Sequence, residues 1–280
     1  MTLAGPASIC LPLPGDFDPV EVAKIRECLD RARAGGVTVA FAIESGSRAW
    51  GFPSPDSDYD CRFVYVRPVR DHLLLDPPRD VIEFPIEGLS DAGGWDLRKA
   101  LILAHGGNAV VNEWARSPLV YEEIPGFREE MAALLEEVTD PIDVANHYRG
   151  LARSQLAGLG DLTGPVKLKK VLYLVRPLLS LLWMRERDFA ALPPMDIGSL
   201  RAGVAVPPAF SAGLEELLAM KKVTRELGVR HLDPSFIRHL DDMLAEVEAF
   251  GEPTRTGRRD RMAAAQDFYT RWVTRLDRTT

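Results

Sequence analysis

Apolar residues change their spacing part-way along the chain, and that change divides it. Up to about residue 125, short apolar runs recur between turn residues. Segments 37–43, 61–66 and 80–87 (DVIEFPIE) read as strands. In the last, Val81, Glu83 and Pro85 would face one way and Ile82, Phe84 and Ile86 the other. Helical spacing precedes the first run at 19–34, where Val22, Ile25 and Leu29 form one stripe and Gly35-Gly36 ends it. Segment 88–94 is predicted to turn into a helix over 95–105, with Leu97, Ala100, Leu101 and Ala104 inward. Gly106-Gly107-Asn108 breaks that helix before a second piece at 110–115, and Ser117-Pro118 closes the region.

Beyond residue 126 the strand pattern stops. Helices are predicted at 127–138, 143–159, 166–187, 211–227, 234–250 and 260–276, with an exposed linker at 251–259. The expected fold is a small mixed α/β domain over 1–125 followed by an all-helical domain over 126–280. The chain's 280 residues and 46% hydrophobic content allow a sizeable core in each. The most apolar run, 171–184, is shorter than the roughly 20 residues a bilayer requires, and Arg176 interrupts it. A buried helix is expected there, not a membrane span. Cys10, Cys28 and Cys61 have no metal-ligand spacing and read as reduced thiols. With no signal-peptide pattern at the start, the expected compartment is the cytoplasm. A formal charge of −7 argues against tight nonspecific binding to nucleic acid, while leaving room for a local basic face.

The stretch 41–66, FAIESGSRAWGFPSPDSDYDCRFVYV, concentrates the candidate chemistry. A strand ends at a Gly46-Ser47 turn, a loop carries Pro53 and Pro55, and a second strand opens with Asp58 and Asp60. Residues two apart on a strand share a face, so both carboxylates project together. Such a pair can share the divalent cations that clamp a transferring phosphoryl group. A small Gly-Ser turn lets backbone N–H groups and a hydroxyl approach phosphate closely. Taken alone, Asp-x-Asp in a Pro-rich loop is more often turn chemistry, because short polar side chains satisfy turn backbone. The whole order of strand, Gly-Ser, loop, Asp-x-Asp and strand favours a site.

That order resembles the DNA polymerase-β-like nucleotidyltransferases, with Arg48, Trp50 and Gly51 filling the stretch in the superfamily's manner. The resemblance narrows to a family of predicted nucleotidyltransferases, some of them described as RNA-ligase-associated. It rests on WDLRKAL (95–101), Asn108, EW (113–114), SPLVY (117–121), HY (147–148), LKKVLYLVRPLL (168–179), Trp183 and PP (193–194). The chain departs from that pattern where Lys/His-x-Asn-Pro becomes His105-Gly106-Gly107-Asn108-Ala109, and where Cys61 replaces an aliphatic residue. The resemblance implies Asp58 and Asp60 as ligands of Mg2+ or Mn2+, an NTP substrate, Gly46 and Ser47 at its phosphates, and Arg48 as a further nucleotide-binding residue. It also implies a third carboxylate acting on the attacking hydroxyl. Glu83, Glu87 and Asp91 are the candidates, and Asp91 is favoured.

In the helical half, Lys169, Tyr173 and Arg176 share a helix side, just after Lys167. Charge on an otherwise apolar helix is costly without a partner. This side is expected to face an interdomain cleft and contact the triphosphate, with His147 and Tyr148 as further lining candidates. The competing reading is ion pairing to acids such as Glu129 or Glu130. The implied reaction moves an NMP from an NTP to a hydroxyl, with an RNA end as the leading acceptor. A protein or small-molecule acceptor and a non-catalytic nucleotide-binding module are the alternatives. No GxxxxGK[ST] loop, HExxH pair or GxSxG elbow supports another site class.

Overall fold

The computed structural model describes residues 8–225, 228–249 and 258–277. In chain order the elements are β1 (Ile9–Cys10), α1 (Pro19–Ala34), β2 (Thr38–Ser45), α2 (Gly46–Ala49) and β3 (Tyr59–Val66). A 3-10 turn at Val69–Leu73 leads to β4 (Val81–Glu83), β5 (Ser90–Asp96), α3 (Leu97–His105), α4 (Ala109–Arg116), β6 (Val120–Glu123) and α5 (Phe127–Val138). Then come α6 (Pro141–Leu159), β7 (Val166–Lys167), α7 (Leu168–Arg185), α8 (Ile197–Ala202) and α9 (Pro208–Val223). The last elements are β8 (Val229–Arg230), α10 (Pro234–Glu248) and α11 (Arg258–Asp277). Most of the linker expected at 251–259 lies outside the described residues. A mixed α/β sheet followed by a helical region is the fold class the sequence implied.

The chain forms two compact units. The first holds the described residues up to Ala49, Asp58–Thr139 and α11. Its six strands run in the order β1-β6-β2-β3-β5-β4, with only β3 and β5 parallel. On one face α1 seals Phe17, Ile25 and Leu29 against Val39, Cys61, Phe63 and Tyr121. Asp18 caps α1 by accepting from the Val20 N–H, and Pro19 needs no N–H there. On the other face α3, α4, α5 and α11 cover Phe41, Ile43 and Val64. Burying each such large side chain stabilises the unit by about 1.5–3 kcal/mol.

Several elements differ from the sequence-based expectation. Segment 88–94 is not simply a turn into a helix, because Ser90–Asp96 is β5. Its Gly-Gly pair is a packing requirement: a Cβ on Gly94 would overlap the Phe63 ring on the neighbouring strand. The strand expected over 80–87 shortens to Val81–Glu83, since Pro85 has no N–H for a ladder. The four-residue β6 and the two-residue strands β1, β7 and β8 are too short for a period of two to reveal. The helix α8 was likewise not anticipated. The stripes Phe127, Met131, Leu135 and Phe268, Trp272, Leu276 pack in the core of the first unit. Thus α5 and α11 group with the sheet, and not with the helical region expected from 126 onward.

The second unit comprises Trp50–Ser57 and the described residues 140–249. Its centre is α7, buried along nearly all its length, with α6, α8, α9 and α10 against it. The loop after α2 belongs here: the Ile197 N–H donates to the Trp50 carbonyl at 2.9 Å, and the Trp50 and Tyr173 ring centroids are 5.5 Å apart. Among the described residues, no helix is long and apolar enough to cross a membrane.

Candidate active site

The first unit builds its polar cluster where β2 ends. Ser45 pairs with Asp60 across β2 and β3, and Asp60 pairs with Asp91 across β3 and β5. In-register partners share a face, so Asp60 and Asp91 project from the same side of the sheet. The sequence could not show this register, because it depends on β5. Asp58 lies exposed, one residue before β3 begins.

Gly46 follows β2 with φ +63°, a left-handed conformation that glycine adopts readily. A Cβ there would overlap the Asp60 carboxylate, so the bare backbone leaves the space that side chain occupies. Gly46 also opens α2, and Ser47, the second residue of that helix, is buried. Glu44 lies beneath: its Oε1 accepts the Asp60 N–H at 3.0 Å, and its other oxygen accepts the Tyr121 hydroxyl. Burial pushes the Glu44 carboxyl up to about 8, against the pull of the Tyr121 hydrogen bond.

Arg62 is the cation of the cluster. One guanidinium nitrogen reaches Asp91 Oδ2 at 2.6 Å and Asp60 Oδ1 at 3.5 Å, and the other donates to the Asp91 carbonyl at 3.0 Å. Arg62 sits two residues after Asp60, so strand alternation could have nominated it. Glu44 carried no such signal. Arg48, expected at the nucleotide, donates to the Asp58 carbonyl at 3.2 Å and lies over the Tyr59 ring at 3.8 Å. Glu83, a rival third acid, is exposed on β4 and paired with Arg79 at 2.6 Å. Glu87, the other rival, is exposed beside β5 and lies 4.0 Å from Arg31.

Among the described residues no three His, Cys, Asp or Glu side chains converge as a closed metal cage. The oxygens that Asp60 and Asp91 present are carboxylate, the kind Mg2+ and Mn2+ prefer, and Arg62 pairs with both, so a cation would have to compete with that guanidinium.

A model of the RNA repair pathway DNA polymerase beta family, RlaP, matches residues 21–271. The chain belongs to the RlaP family. It is also 40% identical over 193 residues to a Bacillus subtilis (strain 168) protein described as "Uncharacterized protein YcgL", covering 69% of this chain and 73% of that one. The polymerase-β-like resemblance of the 41–66 stretch is therefore a family relationship.

In the second unit of this RlaP chain, Lys169, Tyr173 and Arg176 do lie along one side of α7. The Lys169 ammonium is 5.8 Å from the Tyr173 ring centroid, and the buried Arg176 guanidinium lies over Trp50 at 4.2 Å. Glu130, on α5, pairs with Arg271 within the first unit. His147 and Tyr148 sit on α6, with Tyr148 buried. In this unit the sequence reading also missed Lys221. On α9 the buried positions run Phe210, Leu214, Leu217, Lys221, so a lysine occupies a place the apolar stripe reserves for a hydrophobe.

Proposed function

We propose that this RlaP protein is a divalent-metal-dependent nucleotidyltransferase that moves an NMP from an NTP to the hydroxyl of an RNA end. The observation that carries the reading is the Asp60–Asp91 register beside the bare Gly46 backbone. Asp58, Asp60 and Asp91 would hold Mg2+ or Mn2+, which would neutralise phosphate charge and lower the pKa of the attacking hydroxyl. That hydroxyl oxygen bonds to the α-phosphorus, the α–β bridging bond breaks, and pyrophosphate leaves. Asp91 orients the attacking hydroxyl and receives its proton. Gly46 and Ser47 hold the β- and γ-phosphates. Most of the catalysis is positioning and charge neutralisation, as phosphoryl chemistry requires.

The net charge of −7 favours a second reading, in which the acceptor hydroxyl belongs to a protein or small molecule. Incubation with each labelled NTP, Mg2+ and pooled RNA, and separately with protein extract, distinguishes the two by which fraction gains label. Asp58→Asn and Asp60→Asn should each lower transfer by on the order of 100-fold or more while the fold persists. Undiminished transfer in Asp60→Asn would remove the site assignment.

A further inference from the structure

Within the second unit, a pocket of about 360 Å³ is lined by Ser54, Asp56, Lys167, Lys169, Lys221 and Arg225, together with Thr224 and the start of β8. Four cations face one carboxylate, in a chain whose overall charge is negative. Three of the cations, Lys167, Lys169 and Arg225, are exposed at its surface. The fourth, Lys221, is 1% exposed, and among the described residues its Nζ has no hydrogen-bond partner. Its surroundings are the Phe52 ring, 4.5 Å from Nζ to the centroid, and the Tyr173 ring at 5.8 Å. Ring faces attract a cation but accept none of its three N–H donors as an oxygen would. An ammonium buried without a hydrogen-bond acceptor destabilises the fold, and the Asp56 carboxylate acts on it only through its charge. Burial and the nearby Lys169 lower the Lys221 pKa to about 8, which leaves it mostly charged at neutral pH.

We infer that this pocket of the second unit binds an oligophosphate, such as inorganic triphosphate or pyrophosphate. The volume exceeds a single phosphate, and the four cations match the charge of a polyphosphate chain. Ser54 and Thr224 also line it, the Ser54 hydroxyl paired with that of Ser57 at 2.9 Å. The affinity for oligophosphate does not rest on the transferase reading, in which Gly46 and Ser47 of the first unit hold the donor's phosphates.

Inorganic triphosphate and pyrophosphate, titrated into the full chain at pH 7 without divalent metal, should bind and raise the melting temperature. Lys221→Met should weaken both about tenfold or more, yet melt no lower without ligand, because it removes an unpaired buried charge. Lys169→Ala, at an exposed position, should weaken them in the same direction and keeps the test decisive if the first variant does not fold. NTP should displace inorganic triphosphate far better than NMP does, because only NTP carries an oligophosphate. Equal displacement by NMP, or unchanged binding in both variants, overturns the inference. Transfer activity with unweakened oligophosphate binding sinks the pocket alone. Weakened binding in a protein that transfers no NTP sinks the transferase reading alone.

Discussion

The Asp60 carboxylate fills the space left by Gly46, with Arg62 reaching across from it to Asp91. That arrangement ranks the candidate third acids. Asp91 shares the face of Asp60, whereas Glu83 is held by Arg79 on the edge strand. If Asp91 acts on the attacking hydroxyl as proposed, Asp91→Asn should lower kcat far more than NTP affinity, and Glu83→Gln should be mild. Steady-state kinetics on the two variants check this, and the opposite ranking would move the role to Glu83. Lys221 gives a second residue-level expectation. Its folded pKa of about 8 lies below the ordinary 10.5, chiefly through burial, with Lys169 adding to the shift and Asp56 opposing it. Below about pH 8 both folded and unfolded states carry the proton, and the cost of burying it is fully present. Between about 8 and 10.5 the unfolded state holds a proton the folded state has lost, so the wild type gains stability as pH rises. The stability advantage expected of Lys221→Met should therefore shrink across that window. Denaturant melts at pH 7.5, 9 and 10.5 would show it, and a constant difference would contradict it.

Strand β5 sets the position of Asp91, and it exists because of close packing. Its residues alternate between buried and half-buried, with Asp91 on the face that is not sealed by α1. Gly94 points to the sealed face, where the Phe63 ring occupies the volume of a side chain. Gly94→Ala should force Phe63 or the strand to move, at a cost of about 1–3 kcal/mol, and should disturb the Asp60–Asp91 register. Gly93→Ala is the control, because the nearest atom to its Cβ would be the Ile82 carbonyl oxygen at 3.6 Å. Equal melting temperatures for the two variants would show that Phe63 does not dictate the glycine.

For the molecule as a whole, the last described helix is part of the first unit. Trp272 is fully buried, its ring centroid 4.6 Å from that of Phe127, and its Nε1 donates to Glu130 Oε2 at 3.2 Å. Trp272→Ala should cost about 3–5 kcal/mol, the range for deleting a large buried aromatic. Met262→Ala, 44% exposed on the same helix, should stay within about 0.5 kcal/mol. Denaturant unfolding of both variants tests whether α11 is a structural member of the unit or a dispensable tail. A small effect of Trp272→Ala would favour the tail.

Local spacing was enough for α1, whose cap, proline and apolar stripe lie within or beside its own residues, and for α5 through its apolar stripe alone. It was also enough for the Asp58-x-Asp60 pattern and the Gly-Ser turn, because those signals fall within one short stretch. The Asp60–Asp91 register was not legible, since a Gly-Gly segment reads as a turn until Phe63 is seen to fill the space above it. Nor was the placement of α11, which depends on residues more than 100 positions away in the chain, such as Glu130. Lys221 lies between the two cases. Its place on the apolar stripe is written in the sequence, but only the tertiary structure puts aromatic rings and three further cations around it. Periodicity tells which side of an element is buried; what it is buried against is decided by contacts between elements.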